Sequence, residues 1–185
     1  MRNKAWLVAK GNNQEEGIDF GETYTPVARL EAVRLLLAYV CMNEFQLYQM
    51  DVKSAFLNGY INEEVYVSQP PGLEDYKYPE HVFKLKKALY ELKQALRQWY
   101  ERLSKFLFSQ GYDRGKTYKI LFMKKACIDI ILVQFYDDDI IFRSTNGKFC
   151  EQFVTVIGRV WDVYDGRTQL FPRIADQVIQ AWNFP

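Results

Sequence analysis

The chain has 185 residues, 49% hydrophobic and 16% aromatic, and a net charge of +1. That length suits one domain, or one domain and part of another, and the apolar content excludes global disorder. The small net charge neither requires nor excludes a nucleic-acid partner, and no apolar run is long enough to span a bilayer.

Residues 1–28 open on Ala5-Trp6-Leu7-Val8-Ala9-Lys10-Gly11, which predicts a strand stopped by a Gly-Asn-Asn turn. Nothing before it could be its pairing partner, so the chain is expected to begin partway into a domain; no signal peptide opens it, which fits an intracellular protein. Thr25-Pro26 predicts a helix entry, and Leu30, Val33, Leu37, Val40 and Cys41 form a core-facing stripe over Arg29 to Met42. Phe45 to Val52 alternates as a strand should and carries Asp51 near its end. Phe56-Leu57-Asn58-Gly59 turns the chain, and Glu64 to Val67 and Val82 to Leu85 predict short strands on either side of a polar loop. A helix is expected from Ala88 to Ser109, because Leu89, Leu92, Leu96, Trp99, Leu103 and Phe106 make one continuous apolar face. From His81 to Arg114 eight Lys or Arg stand against three Asp or Glu. Lys93, Arg97, Arg102 and Lys105 therefore make either a phosphate-binding face or, by the commoner pattern, a solvated one.

Tyr118 to Lys124 and Ile128 to Phe135 predict two strands. Then Phe135-Tyr136-Asp137-Asp138-Asp139-Ile140-Ile141-Phe142 sets three carboxylates between β-branched and aromatic flanks. Such flanks favour strands, while Asp favours turns, so the triplet is expected at a tight hairpin. Adjacent carboxylates repel, and at a hairpin tip little except cations can neutralise them. If Asp51 meets them, oxygen ligands from two strands would suit Mg²⁺ or Mn²⁺. A solvated acidic turn beside an unrelated strand Asp explains these residues equally well. Phe149 to Val160 shows weak helical periodicity, and Trp161 to Pro185 shows neither period. The three cysteines, Cys41, Cys127 and Cys150, lack metal-ligand spacing and read as reduced thiols of a soluble intracellular protein.

Six segments, in order over residues 2–160, resemble the reverse transcriptase of copia-type long-terminal-repeat retrotransposons. They are Lys4 to Gly11, Thr25-Pro26-Val27-Ala28-Arg29, Gln49 to Gly59, Glu64 to Gly72, Leu89 to Tyr100 and Tyr136 to Phe142. The resemblance implies an α+β fold: a right-hand polymerase palm with partial fingers, helices packed on one face of an antiparallel sheet. It implies synthesis of DNA on an RNA or DNA template-primer from deoxynucleoside triphosphates, with two Mg²⁺ or Mn²⁺ ions. By position in the motifs, Asp51, Asp138 and Asp139 are the catalytic, metal-binding acids, and Val52 is the residue whose carbonyl contacts a metal. Phe56 stands where a ring excludes a 2′-hydroxyl, Gln94 where the incoming nucleotide is contacted, and Lys10 at a basic position facing the triphosphate.

Several positions depart from the family pattern. Trp6 stands in place of Arg, Glu91 of Gly, Leu96 of Pro, Arg143 of Gly, and Asp137 of an apolar residue, commonly Val. The extra acid is expected to reduce activity by adding repulsion beside Asp138. Residues 1–160 are thus expected to be a fingers and palm fragment, and 161–185 a non-family tail. Tyr164 to Arg173 can be back-translated as TAT GAT GGG AGA ACT CAA CTT TTT CCT AGG. Read one base later, that string encodes Met-Met-Gly-Glu-Leu-Asn-Phe-Phe-Leu, which matches the family's continuation, so a frameshift near residue 160 is expected. The expected function is a degenerate reverse transcriptase. Two others stay open: a palm remnant that binds nucleic acid without synthesis, and a related palm using its acids for another phosphoryl transfer.

Overall fold

The computed structural model describes residues 8–23, 25 and 47–164. The helix expected over Arg29 to Met42, the first residues of the chain and 165–185 lie outside that description. The described chain divides into two compact units, one holding 8–23 and 25 with Ser54–Lys105, the other 47–53 with 106–164. Within them the architecture is α+β.

The second unit is built on an all-antiparallel six-stranded sheet of order β4-β5-β6-β7-β1-β8. Its strands are β1 (Tyr48–Val52), β4 (Asp113–Arg114), β5 (Leu121–Ala126), β6 (Asp129–Tyr136), β7 (Asp139–Ser144) and β8 (Val163–Tyr164). Side chains alternate between the faces of a sheet, and register decides which residues share one. Phe122, Val133, Phe142 and Tyr48 lie in one cross-strand row, and Phe135, Ile140 and Met50 in the next. All but Tyr48 are buried, and burying each large apolar side chain contributes about 1.5–3 kcal/mol. A helix, α2 (Gly147–Gly158), covers this face, with Phe153 set against Phe142 at 4.9 Å between ring centroids. Asn146 caps it: its side chain accepts from the Lys148 amide at 3.1 Å and donates to Asp129 at 2.9 Å. Burial also pushes the Cys150 thiol of α2 up to about 11, so it stays protonated at neutral pH.

The first unit contains a separate hairpin, β2 (Tyr66–Ser68) with β3 (Val82–Lys84), and most of α1 (Ala95–Ser109). Its core gathers Ala9, Val65, Ala88, Leu92 and Ala95, with Phe56, Ile61, Val67, Leu85 and Leu89 packed around them.

The helix expected from Ala88 begins seven residues later. The backbone of 88–90 pairs elsewhere: the Ala88 amide donates to the Gly59 carbonyl at 2.9 Å, and the Tyr90 carbonyl accepts from the Ala9 amide at 3.0 Å. Those groups cannot also serve an i→i−4 ladder. Glu91 then takes φ 69°, a left-handed conformation that a helix cannot contain. The apolar face is also turned: Trp99 and Leu103 are buried as expected, but Ala95 and Leu107 are buried where Leu96 and Phe106 are only half so.

Glu91 is one of the departures from the family pattern, and its φ explains why Gly suits the position. Replacing Glu91 with Gly is expected to raise stability by about 0.5–1 kcal/mol. Chemical denaturation of the two proteins checks this, and a lower midpoint for the glycine variant would contradict it.

The basic face on α1 is partly committed to the protein itself. Arg97 pairs with Glu22 and Glu101, each at 3.0 Å, while Arg102 donates to the Asn58 carbonyl and lies over the Tyr60 ring. Beyond α2, Trp161 is buried with its ring edge-on to Phe106. β8 then pairs with β1, so the opening residues of the expected tail belong to the sheet.

Candidate active site

The acidic triplet does not share one conformation. Asp139 is the first residue of β7 and pairs with Tyr136 at the end of β6, which leaves Asp137 and Asp138 as the two-residue turn. Asp137 has φ 52°, the sign that two-residue hairpin turns favour at their first central position. Asp and Asn tolerate this region far better than β-branched residues do. Asp137 and Asp138 are exposed, and Asp139 is half-buried.

β1 brings Asp51 to the same place. Its register sets Asp51 opposite Asp139, and the Val52 amide donates to the Asp138 carbonyl at 3.0 Å. Antiparallel pairs alternate between hydrogen-bonded and non-hydrogen-bonded. Val52 and Asp138 make the bonded pair, so Asp51 and Asp139 form the other kind, with Cα atoms about 4.5 Å apart and side chains at their closest. The row Asp51, Asp139, Tyr136 lies on the face opposite the buried Met50, Val52, Ile140 and Phe135. The fold therefore commits two carboxylates to close approach.

Neighbouring polar groups are arranged around that row. Tyr136 donates from its phenol to the Gln134 side chain at 2.9 Å, and burial pushes the phenol up to about 12, so it acts as a neutral donor. Gln134 is itself buried. Lys53, just past β1, bonds both carboxylate oxygens of Asp162 at 2.9 and 3.0 Å. The Val52 side chain is in the core, and its carbonyl leaves the strand on the same side as the amide that meets Asp138.

Among the described residues, no three His, Cys, Asp or Glu side chains converge as a ready-made cation cage. Two opposed carboxylates still fit Mg²⁺ chemistry, because that ion typically takes one or two carboxylates and completes its shell with water and substrate phosphates.

The remaining site residues of the sequence reading belong to the first unit, gathered about residues 88–94. Phe56, in a 3-10 turn over Ala55–Asn58, sets its ring edge-on to Tyr90 at 5.7 Å between centroids. Lys10 is exposed and directly precedes another 3-10 turn, Gly11–Asn13. That turn is seated against the 91–92 backbone: a Cβ on Gly11 would lie 1.8 Å from the Glu91 carbonyl oxygen. Gln94 is only 1% exposed, and its side-chain oxygen accepts from Gln14 at 3.1 Å. Its amide nitrogen is buried without a hydrogen-bond partner among the described residues, which costs about 1–3 kcal/mol. Gln14 did not stand out in the sequence, since a polar residue in a polar loop carries no periodic signal.

The turn geometry bears on the extra acid. Asp137→Asn is expected to leave stability within about 0.5 kcal/mol, whereas Asp137→Val puts a β-branched residue at positive φ and costs about 1–2 kcal/mol. Thermal melts of both variants check this. A valine variant as stable as the asparagine one would show that the turn readily re-forms with another geometry.

Together the sheet and its row of acids define an α+β domain with paired carboxylates at a hairpin tip, on the face turned from the core. The chain belongs to the reverse transcriptase (RNA-dependent DNA polymerase) family, which it matches over residues 1–170. It is 41% identical over 145 residues to the retrovirus-related Pol polyprotein from transposon RE2 of Arabidopsis thaliana, covering 78% of this chain and 10% of that protein. The polyprotein from transposon RE1 of the same plant is 41% identical over 164 residues, 89% of this chain and 11% of the relative. That from transposon TNT 1-94 of Nicotiana tabacum is 39% identical over 149 residues, 80% and 11%. The chain thus spans about a tenth of the length of these copia-type relatives. No solved structure matches it. Among the described residues, no helix is long and apolar enough to cross a membrane.

Proposed function

We propose that this chain is the polymerase portion of a copia-type retrotransposon protein and that its chemistry is template-directed DNA synthesis. The primer 3′-hydroxyl attacks the α-phosphate of a deoxynucleoside triphosphate in line, and pyrophosphate leaves. The observation that carries this reading is the placement of Asp51 opposite Asp139, beside the Tyr136–Asp139 hairpin, on the face away from the core.

Asp51, Asp138 and Asp139 would hold two divalent cations, Mg²⁺ or Mn²⁺, with the Val52 carbonyl beside them. When bound, such ions neutralise charge that develops on the attacking and leaving oxygens. The protein's own part is to hold the carboxylates at fixed register, so no reorganisation is needed as the reaction proceeds. Phe56 would exclude a 2′-hydroxyl by the bulk of its ring, Gln94 would contact the nucleotide, and Lys10 would face the triphosphate. The sheet-based unit corresponds on this reading to the palm and residues 8–23 to part of the fingers. We infer further that the element is degenerate. Asp137 adds a charge beside the site, and a frameshift near residue 160 would alter the tail, of which the family match takes in residues up to 170.

Primer extension on an RNA template with Mg²⁺ or Mn²⁺ tests the reading. Incorporation that stops when the metal is chelated supports it. Salt-sensitive binding of template-primer with no incorporation under either metal would favour the second reading, nucleic-acid binding alone. The ion pairs of Arg97 with Glu22 and Glu101 speak against that alternative, since they commit one cation of this face to the protein itself.

A further inference from the structure

The side-chain amides of Gln14 and Gln94 form a directed pair. The Lys93 backbone amide donates to the Gln14 side-chain oxygen at 2.9 Å, and a backbone N–H can only donate. The Gln14 oxygen is thereby fixed toward Lys93, and its NH₂ group must point the other way. That group donates to the Gln94 oxygen at 3.1 Å, which fixes the Gln94 amide in turn. Its acceptor end is occupied, and its NH₂ end is left as a buried donor with no partner among the described residues. A backbone group at one end of this relay thus decides which end of the Gln94 amide is presented.

The segment carrying Gln14 is itself held down. Val8 bridges to Tyr90, the Ala9 amide donates to the Tyr90 carbonyl, and Gly11 lies against Glu91 too closely for any side chain. Lys10, between Ala9 and Gly11, is fixed by the same junction.

We propose that Gln14 is a positioning residue for nucleotide binding. Taking the Gln94 oxygen, it leaves Gln94 as a hydrogen-bond donor to an acceptor on the incoming deoxynucleoside triphosphate. This rests on the polymerase reading above and adds a residue that it does not include. Without Gln14, the Gln94 amide is free to turn over and offer its oxygen, which repels an acceptor.

Gln14→Met tests the proposal because it keeps volume and removes both hydrogen bonds; Gln14→Ala serves as a second variant. Each is first compared with the parent chain by thermal melting and by the side-chain amide signals of Gln94 in a nitrogen–proton NMR spectrum. The expected result is a displaced or exchange-broadened Gln94 signal in a protein that still melts cooperatively. In single-nucleotide incorporation, KM for the deoxynucleoside triphosphate should rise about tenfold, the value of roughly one hydrogen bond. The kcat and the KM for template-primer should change less than about twofold. An unchanged or lowered nucleotide KM overturns the proposal; a lowered one would show that Gln14 competes with the nucleotide for Gln94.

If the parent chain incorporates nothing, the polymerase reading fails, and the proposal is judged by equilibrium titration with deoxythymidine triphosphate and Mg²⁺. Weaker binding in Gln14→Met than in the parent then supports it. Equal binding, or no binding by the parent, overturns it.

Discussion

Replacing Asp51 with Asn is expected to leave the protein unable to extend a primer. Asp51 and Asp139 face each other in a non-hydrogen-bonded pair, where side chains are closest. The Asp51 carboxylate is a proposed ligand of the divalent cations, and its loss should reduce incorporation by ~10³-fold or more. Asp138→Asn should reduce incorporation similarly and change stability little, because Asp138 lies at an exposed turn. Primer extension measures the loss, with differential scanning calorimetry to confirm that each variant folds. Retained incorporation would remove Asp51 from the site.

Gly11→Ala is expected to be the most damaging conservative change in the first unit. The added Cβ would meet the Glu91 carbonyl oxygen at 1.8 Å, its carbon at 2.7 Å and the Leu92 Cα at 3.1 Å. These are backbone atoms that no rotamer change can move, so the 8–11 segment must lift away from 90–92. Overpacking of this kind costs about 1–3 kcal/mol, and the Ala9-to-Tyr90 hydrogen bond is lost with it. Denaturant unfolding and hydrogen exchange at the Ala9 amide would record the loss. Gly21→Ala is the control, because a Cβ there meets nothing within 4 Å among the described residues. Equal stability of the two variants would refute the close contact.

The sheet was legible because its signal is local. Alternation in Tyr48 to Val52 and the β-branched flanks of the acidic triplet place buried and solvent-facing residues without reference to anything distant. The turn was legible for the same reason, although only two of the three acids occupy it. What the residues did not reveal was register, which rests on strand pairing across some eighty positions and decides that Asp51 meets Asp139 rather than another residue. The start of α1 was misread for a related reason. The apolar spacing of Leu89 and Leu92 continues a helical face, while the backbone of 88–90 is engaged by Gly59 and Ala9, far away in sequence. Two of the family departures held the missing information. Gly at position 91 signals a left-handed residue, and Pro at position 96 is tolerated only in the first turn of a helix, which here begins at Ala95. Gln14 left no trace of either kind, since its partners are a backbone amide and one side chain eighty positions on.

β8 joins the sheet through main-chain register, Asp51 with Tyr164 and Val52 with Val163. Peptide groups offer the same donors and acceptors whatever side chains they carry. A shifted reading frame at that point would replace the message and still supply a strand able to close the edge beside Asp51. If the proposed frameshift is real, the altered message past residue 160 would leave this edge pairing in place, because main-chain groups and not side chains make it.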